Sequence, residues 1–286
     1  METIGFYNLR LIVLGTLSLA GCIEPKQDSG ANSSDDIRST NSCISSSENS
    51  FSLVNGEIDA KDEYSPVLEI KSGLSVCTGT FVSDNTLITA AHCIKSGEPG
   101  GGIKALFKGK SLAPTKTFVP VVPIEEKREP KNDVAVVVFA NGTADEWFPV
   151  SRVPPRVGQR ITIVGFGQTD FVGNNASDEK RRFGYNTITE ITDGGATIVY
   201  ELKVTCQGQA LGKDAMAGRG DSGGPLFTKS GLIGIISRGE IVSGKLIEYD
   251  ANLVTPAMSK FLQMTMKEGA KINGLSPEEK ELAVPQ

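Results

Sequence analysis

Three stretches of this chain carry side chains that together could break an acyl bond. Gly218-Arg219-Gly220-Asp221-Ser222-Gly223-Gly224-Pro225 puts a serine in a turn with glycine on both sides, a backbone that residues bearing a Cβ resist. Such a turn can aim amides at one point, and in acyl transfer the N–H groups of Gly220 and Ser222 would form an oxyanion hole, each donor being worth about 3 kcal/mol of barrier. A serine hydroxyl is a weak nucleophile at neutral pH and needs a base within hydrogen-bond reach. The chain has 1 histidine, His92, closing the β-rich run Leu87-Ile88-Thr89-Ala90-Ala91-His92-Cys93. Imidazole is the side chain whose ordinary pKa lies near neutrality. The third stretch, Asn132-Asp133-Val134-Ala135-Val136-Val137-Val138-Phe139, is a polar pair opening a continuous apolar run that reads as a buried strand. A carboxylate at that edge is partly desolvated, and Asp133 could accept the Nδ1–H of His92, fixing its tautomer and stabilising the imidazolium formed during attack. Taken singly, each stretch has an ordinary structural reading as a Gly-rich surface turn, a stray histidine or a turn aspartate. Their coincidence is what points to nucleophilic catalysis.

Those residues need a framework, and the rest of the sequence reads as short strands. β-rich runs recur at 81–82, 87–89, 134–139, 161–164, 197–200 and 232–236, separated by Gly, Asn, Asp and Pro clusters. With 32 glycines, 14 prolines and no long 3.6-residue periodicity before the C-terminus, the fold class is all-β. One helix is predicted near the end, where Thr255 and Pro256 form an N-cap and first-turn pair and Met258, Phe261 and Leu262 follow at helical spacing. The 286 residues, 39% hydrophobic and 22% charged, suffice for one large domain or two small ones. A formal charge of -5 leaves no basic footprint for a phosphate backbone, which argues against nucleic acid as a partner.

The N-terminus reads as a targeting segment. Arg10 precedes the apolar run 11–20, too short to span a bilayer as a helix but suited to a signal h-region. It ends at Leu19-Ala20-Gly21-Cys22, which resembles the bacterial lipobox, where the cysteine is lipidated and becomes the new N-terminus; the other reading is an ordinary signal peptide. Either way the expectation is an exported protein, in the cell envelope or beyond, which meets a membrane only where the lipobox reading holds and a lipid anchor forms. From Glu24 to about Ser50 the composition is Ser, Asn, Asp and Gly with almost nothing apolar, a flexible tether. Residues 1–21 are thus assigned to the leader and 22–52 to a tether and pro-segment.

Setting Cys22 aside leaves Cys43, Cys77, Cys93 and Cys206, an even count that in an exported chain favours disulfides. Cys77 and Cys93 bracket a strand and the proposed base, so bridging them would hold His92 in place. Cys43 with Cys206 follows only by elimination, against a free, buried Cys206. No C-x-x-C pair occurs, so neither a metal site nor another cofactor is expected.

With His, Asp and Ser in that chain order, and with Ala-Ala-His-Cys and Gly-Asp-Ser-Gly-Gly-Pro intact, the chain from about Leu53 onward resembles the trypsin/chymotrypsin family of serine endopeptidases. The resemblance implies two antiparallel six-stranded β-barrels, at 53–150 and 151–286, with the triad in the cleft between them and a C-terminal helix. It implies an enzyme that hydrolyses protein or peptide substrates through an acyl-enzyme on Ser222; a monomer is expected. Leu53-Val54-Asn55-Gly56 resembles the mature N-terminus, which implies a zymogen cut before Leu53 whose new α-amine pairs with Asp221. Family analogy puts the floor of the primary pocket at Met216, where trypsins carry Asp, implying an apolar preference; a Glu248 pointing inward would restore a basic one. Ser237-Arg238-Gly239 resembles the segment that pairs with substrate backbone, Arg238 replacing an aromatic residue. Gly218 stands where many relatives have cysteine, so a pocket-wall disulfide is missing. The competing expectation is a catalytically idle surface-binding or adhesion lipoprotein on the same fold, for which Arg219-Gly220-Asp221 spells an integrin-associated tripeptide.

Overall fold

The structure, a computed structural model of the chain, describes residues 53–276 except 74, 96–97, 123–125, 128, 169–177 and 206–209. The leader, the tether and Cys22, Cys43 and Cys206 lie outside the described residues. The first half forms β1 (Glu57–Ile58), β2 (Val67–Ser72), β3 (Ser75–Phe81), β4 (Thr86–Thr89), β5 (Ile103–Phe107), β6 (Lys110–Ser111), β7 (Lys116–Phe118) and β8 (Ala135–Val138). The second forms β9 (Arg160–Gly165), β10 (Arg182–Thr192), β11 (Thr197–Lys203), β12 (Pro225–Thr228), β13 (Gly231–Val242) and β14 (Lys245–Asn252), then a helix, α1 (Pro256–Lys267). Thr255 caps that helix as predicted, its hydroxyl accepting from the Met258 amide at 3.2 Å, and Pro256 occupies the first turn, where its missing N–H costs nothing.

Strands β9, β10, β11, β14, β13 and β12 close into a six-stranded antiparallel barrel, because β9 pairs with both β10 and β12. The other sheet runs β6-β5-β2-β3-β4-β8-β7 and stays open among the described residues. The expected pair of barrels is therefore one closed barrel and one half-barrel. A further difference concerns residues 53–58, assigned by sequence to the first barrel. Here β1 pairs Glu57 and Ile58 with Phe183 and Arg182 of β10, and Leu53 and Val54 pack among Ile161, Ile198 and Met216 in the second barrel's core. Leu53 is a large apolar side chain with no partner of its own, and that core is where it escapes water.

The apolar run after Asp133 is continuous because β8 is buried on both faces. Val137 and Phe139 point into the first sheet's core beside Phe81 and Phe107, while Val136 and Val138 face the layer shared with Val164, Leu232 and Met258 of the other half. Burying such a side chain stabilises by roughly 1.5–3 kcal/mol, so β8 is locked on both sides and Asp133 is fixed at its mouth. No helix among the described residues is long and apolar enough to cross a membrane.

Candidate active site

His92 sits in a single 3-10 turn, Ala91–Cys93, where β4 ends, and Asp133 follows another, Pro130–Asn132, where β8 begins. Since β4 and β8 are antiparallel neighbours, pairing Thr89 with Ala135, the two turns lie at the same end of the sheet. Asp133 Oδ1 accepts the backbone N–H of His92 at 2.9 Å and Oδ2 accepts Nδ1–H at 2.7 Å. Holding one residue through main chain and ring fixes the imidazole and leaves Nε2 as the nitrogen that can take a proton. Asp133 is buried, whereas 48% of the His92 side chain is exposed, so the ring's open edge faces the cleft.

The charges on the pair are mutually stabilised. Burial alone would raise the Asp133 pKa, but the hydrogen bond and charge of His92, the Ser237 hydroxyl and the His92 amide hold it below the ordinary carboxylate value. Partial loss of water lowers the imidazole pKa, and the hydrogen bond and charge of Asp133 outweigh that loss and lift it above its usual value. Ser237 Oγ donates to Asp133 Oδ2 at 2.7 Å, so three donors converge on one carboxylate. Ser237→Ala is expected to lower kcat/KM about tenfold and to move the acid limb of the pH profile upward, because an Asp133 with one donor fewer holds the imidazolium more tightly. A pH–rate profile of the variant checks both.

Ser222 comes from the other half of the molecule. Thr78 on β3 donates its amide to the Ser222 carbonyl at 2.8 Å, and Thr78 Oγ1 donates to the Gly220 carbonyl at 3.0 Å. The loop thus lies on the first sheet, one residue from the base, with Cys93 Sγ 3.8 Å from the Ser222 carbonyl. Two glycines make that approach possible. Gly223 has φ +81°, and a Cβ there would stand 2.6 Å from the Ala90 nitrogen; Gly220 has φ +103°, with Gly167 Cα 2.9 Å from where its Cβ would be. Nε2 of His92 makes no hydrogen bond among the described residues; such contacts commonly tighten only when substrate is bound.

The loop's amides divide into two groups. Those of Asp221, Gly223 and Gly224 donate to Gly218, Ile236 and Asp221 carbonyls at 3.2, 2.8 and 2.8 Å. Those of Arg219, Gly220 and Ser222 have no acceptor among the described residues. Two of these three, Gly220 and Ser222, are the ones that the sequence names as oxyanion donors.

Cys77 on β3 and Cys93 are joined by a disulfide across 16 residues, as expected, a closure worth about 3 kcal/mol in the chain-entropy account. Among the described residues one group comes near a metal-binding arrangement, Cys77, His92 and Cys93, and the same bridge disqualifies it, since disulfide sulfur is no thiolate ligand.

A family model described as Trypsin matches residues 54–251, more than half of the chain. The chain belongs to the trypsin family. A trypsin of Sarcophaga bullata is 28% identical over 182 residues, covering 57% of this chain and 68% of that protein. Among solved structures, mouse brain neuropsin aligns with a TM-score of 0.59 at 18% identity, over 75% of this chain and 100% of its own. A scabies mite inactivated protease paralogue aligns with a TM-score of 0.57 at 15% identity, over 74% and 99%. At these identities the structural likeness establishes the double-barrel trypsin fold alone, and one neighbour's own description calls it inactivated.

The residues expected around the primary pocket lie on the segment before the nucleophile loop and on β13 and β14. Met216 is fully buried in the second barrel's core, its amide donating to the Val54 carbonyl at 3.1 Å. Glu248 points into the barrel and is 2% exposed, and Asp250, two residues on along the same face, is 0% exposed. Arg238 is exposed and lies over the ring of Tyr249, 5.4 Å from its centroid, while Gly239 pairs with Glu248 across β13 and β14. Asp250 is buried beside Ser237, whose amide it accepts at 3.3 Å, and two acids alternating with Tyr249 in an apolar strand are its signal in the sequence.

Proposed function

We propose that the protein is a serine endopeptidase that hydrolyses peptide bonds in protein or peptide substrates. The observation that carries this reading is the double grip of Asp133 on the His92 amide and Nδ1–H, beside a loop whose Gly220 and Ser222 amides are unspent. In the reaction Ser222 Oγ attacks the scissile carbonyl while His92 Nε2 takes its proton. The oxyanion accepts hydrogen bonds from Gly220 and Ser222. His92 returns the proton to the departing amine, and water, activated by the same nitrogen, hydrolyses the ester formed on Ser222.

The enzyme is made as an exported precursor, and cleavage before Leu53 creates the active form. Asp221 supports this second part: it is wholly buried, accepts only the amides of Gly167 and Gly218, each at 2.7 Å, and has no ion-pair partner among the described residues. A cation arriving there would relieve a costly burial.

Covalent labelling decides between this reading and an idle binding protein on the same fold. A fluorophosphonate probe added to protein beginning at Leu53 is expected to label Ser222 stoichiometrically and to leave Ser222→Ala unlabelled. Correctly processed protein that takes up no label would sink the peptidase reading.

A further inference from the structure

The buried face of β10 carries a charge that the reaction described above does not use. Arg182 is 3% exposed, and its guanidinium forms a bidentate pair with Asp178, Nη1 donating to Oδ1 at 2.7 Å and Nη2 to Oδ2 at 2.8 Å. The Asp178 side chain is 37% exposed, so water screens that acid and the pair has one wet end and one dry end.

At the dry end lies Asp221. Arg182 pairs with Gly165 across β10 and β9, and directly paired residues present their side chains on one face of a sheet. A Cβ on Gly165 would overlap Asp221 Oδ1, so the carboxylate before the nucleophile rests on that face, against the bare backbone opposite Arg182. Leu53 belongs to the same layer. A Cβ on Gly184, two residues along β10 and on its buried face, would stand 3.2 Å from Leu53 Cδ2. Asp221 therefore faces Arg182 now and would face a second cation, the Leu53 ammonium, once the bond before Leu53 is cut. Burial pushes the Asp221 carboxyl up, and after the amides of Gly218 and Gly167 it is the charge of Arg182 that draws it back.

Resting on the peptidase and precursor readings above, we propose that Arg182 is a positioning residue shared by two acids: in the uncut chain its guanidinium exchanges between Asp178 and Asp221. Molecules in which it holds Asp221 have an ordered oxyanion loop and react. Asp178 acts as a brake on that state. The two positions compete closely. Asp178 offers two aligned hydrogen bonds in a half-wet setting, whereas Asp221 offers a stronger Coulomb pull in a dry one, with part of its accepting capacity already taken by the Gly167 and Gly218 amides. The exchange needs only rotation of the arginine stem, since the register of β10 on β9 keeps its Cα opposite Gly165. Cleavage ends the competition. Two cations at one buried carboxylate would leave a net charge out of water, so the Leu53 ammonium takes Asp221 and Arg182 stays with Asp178.

The test reads loop order through the rate at which a fluorophosphonate labels Ser222, in the chain with the bond before Leu53 intact by mass spectrometry and in protein beginning at Leu53. In the uncut chain Arg182→Gln is expected to lower the rate about tenfold or more, Asp178→Asn to raise it about threefold or more, and Arg182→Lys to stay within about threefold of the parent. In protein beginning at Leu53 all three should lie within about threefold of the parent, because the ammonium has replaced the guanidinium. An ion pair that serves stability alone would give losses of the same sign from both partners and in both forms. Should Arg182→Gln fail to fold, Asp178→Asn carries the decision, its acid being the wet member of the pair. Uncut Asp178→Asn that labels no faster than the uncut parent, or an Arg182→Gln loss as large in cut protein as in uncut, overturns this inference and leaves the peptidase reading standing. Equal labelling of cut and uncut parent overturns the precursor reading and this inference with it. Cut parent that takes no label overturns all three.

Discussion

Asp133→Asn is expected to lower kcat by about 10⁴ while KM stays within a few-fold of the unaltered enzyme, a loss near 5 kcal/mol of transition-state stabilisation. The reason lies in the three donors that Asp133 accepts, the His92 amide, His92 Nδ1–H and the Ser237 hydroxyl. A carboxylate satisfies all three. A carboxamide offers one acceptor oxygen, and its NH2 group must face a donor or force the imidazole into the other tautomer. In that tautomer Nε2 carries the hydrogen and cannot take the Ser222 proton. The substitution conserves shape, so circular dichroism and thermal stability should stay close to those of the parent. Steady-state kinetics alongside fluorophosphonate labelling rates checks the effect, and a loss below about tenfold would mean that His92 is not oriented by Asp133.

How much of this site the sequence reveals depends on which forces shaped each element. The triad is legible because its surroundings are extreme: β8 is an unbroken apolar run, since it is buried on both faces, and the Ser222 loop needs glycines whose φ values other residues avoid. Strand β10 is much harder to read. Its buried face carries Arg182, Gly184 and Asn186 before reaching Ile188, so no hydrophobic alternation announces it. Asn186 is buried because its side-chain amide donates to the Glu201 and Ala215 carbonyls at 3.1 and 2.8 Å, a tertiary requirement invisible in the local pattern. Gly184 is needed because Ala215 lies where its Cβ would be.

The pocket shows the same limit from the other side. Family correspondence leads to Met216 and leaves the direction of Glu248 open. Register decides that direction: Gly239 pairs with Glu248 and Tyr200 pairs with Glu248, which turns that carboxylate inward while Tyr249 points out beneath Arg238. One residue of slip would reverse both faces. The placement of 53–58 is a related case. Leu53 follows a polar tether and reads as the start of the first barrel, yet its side chain finds its apolar surroundings in the second.

That placement leads to the other large effect. Protein cut before Leu53 is expected to exceed the uncut precursor in activity by a few hundredfold or more, and Asp221→Asn in the cut form should remove most of the gain. Two features of the intact chain point this way. Leu53 has φ +53°, a left-handed conformation costing an L-residue roughly 1–2 kcal/mol, and the torsion ceases to exist once the bond to residue 52 is broken. Asp221 is buried with only two amide donors. Burial raises its pKa, the Gly218 and Gly167 amides and Arg182 pull it back, and the carboxyl remains pushed up to about 6 from 3.8. A group whose folded pKa lies above its unfolded value binds protons more tightly when folded, so stability falls as pH rises through the window from about 4 to 6. Two pKa units correspond to about 3 kcal/mol, or several degrees in Tm for a domain of this size. The new ammonium of Leu53 would favour the ionised carboxyl and remove the Asp221 share of that decline. Glu248 and Asp250 contribute the same trend in both forms and cancel in the comparison. Thermal unfolding of cut and uncut protein between pH 4 and 7, each carrying Ser222→Ala to prevent self-digestion, should show a steeper decline in the uncut form, the excess being the contribution of Asp221. Parallel curves would mean that Asp221 gains no partner on cleavage, and the order of the oxyanion loop would then have to come from the glycines and Thr78 alone.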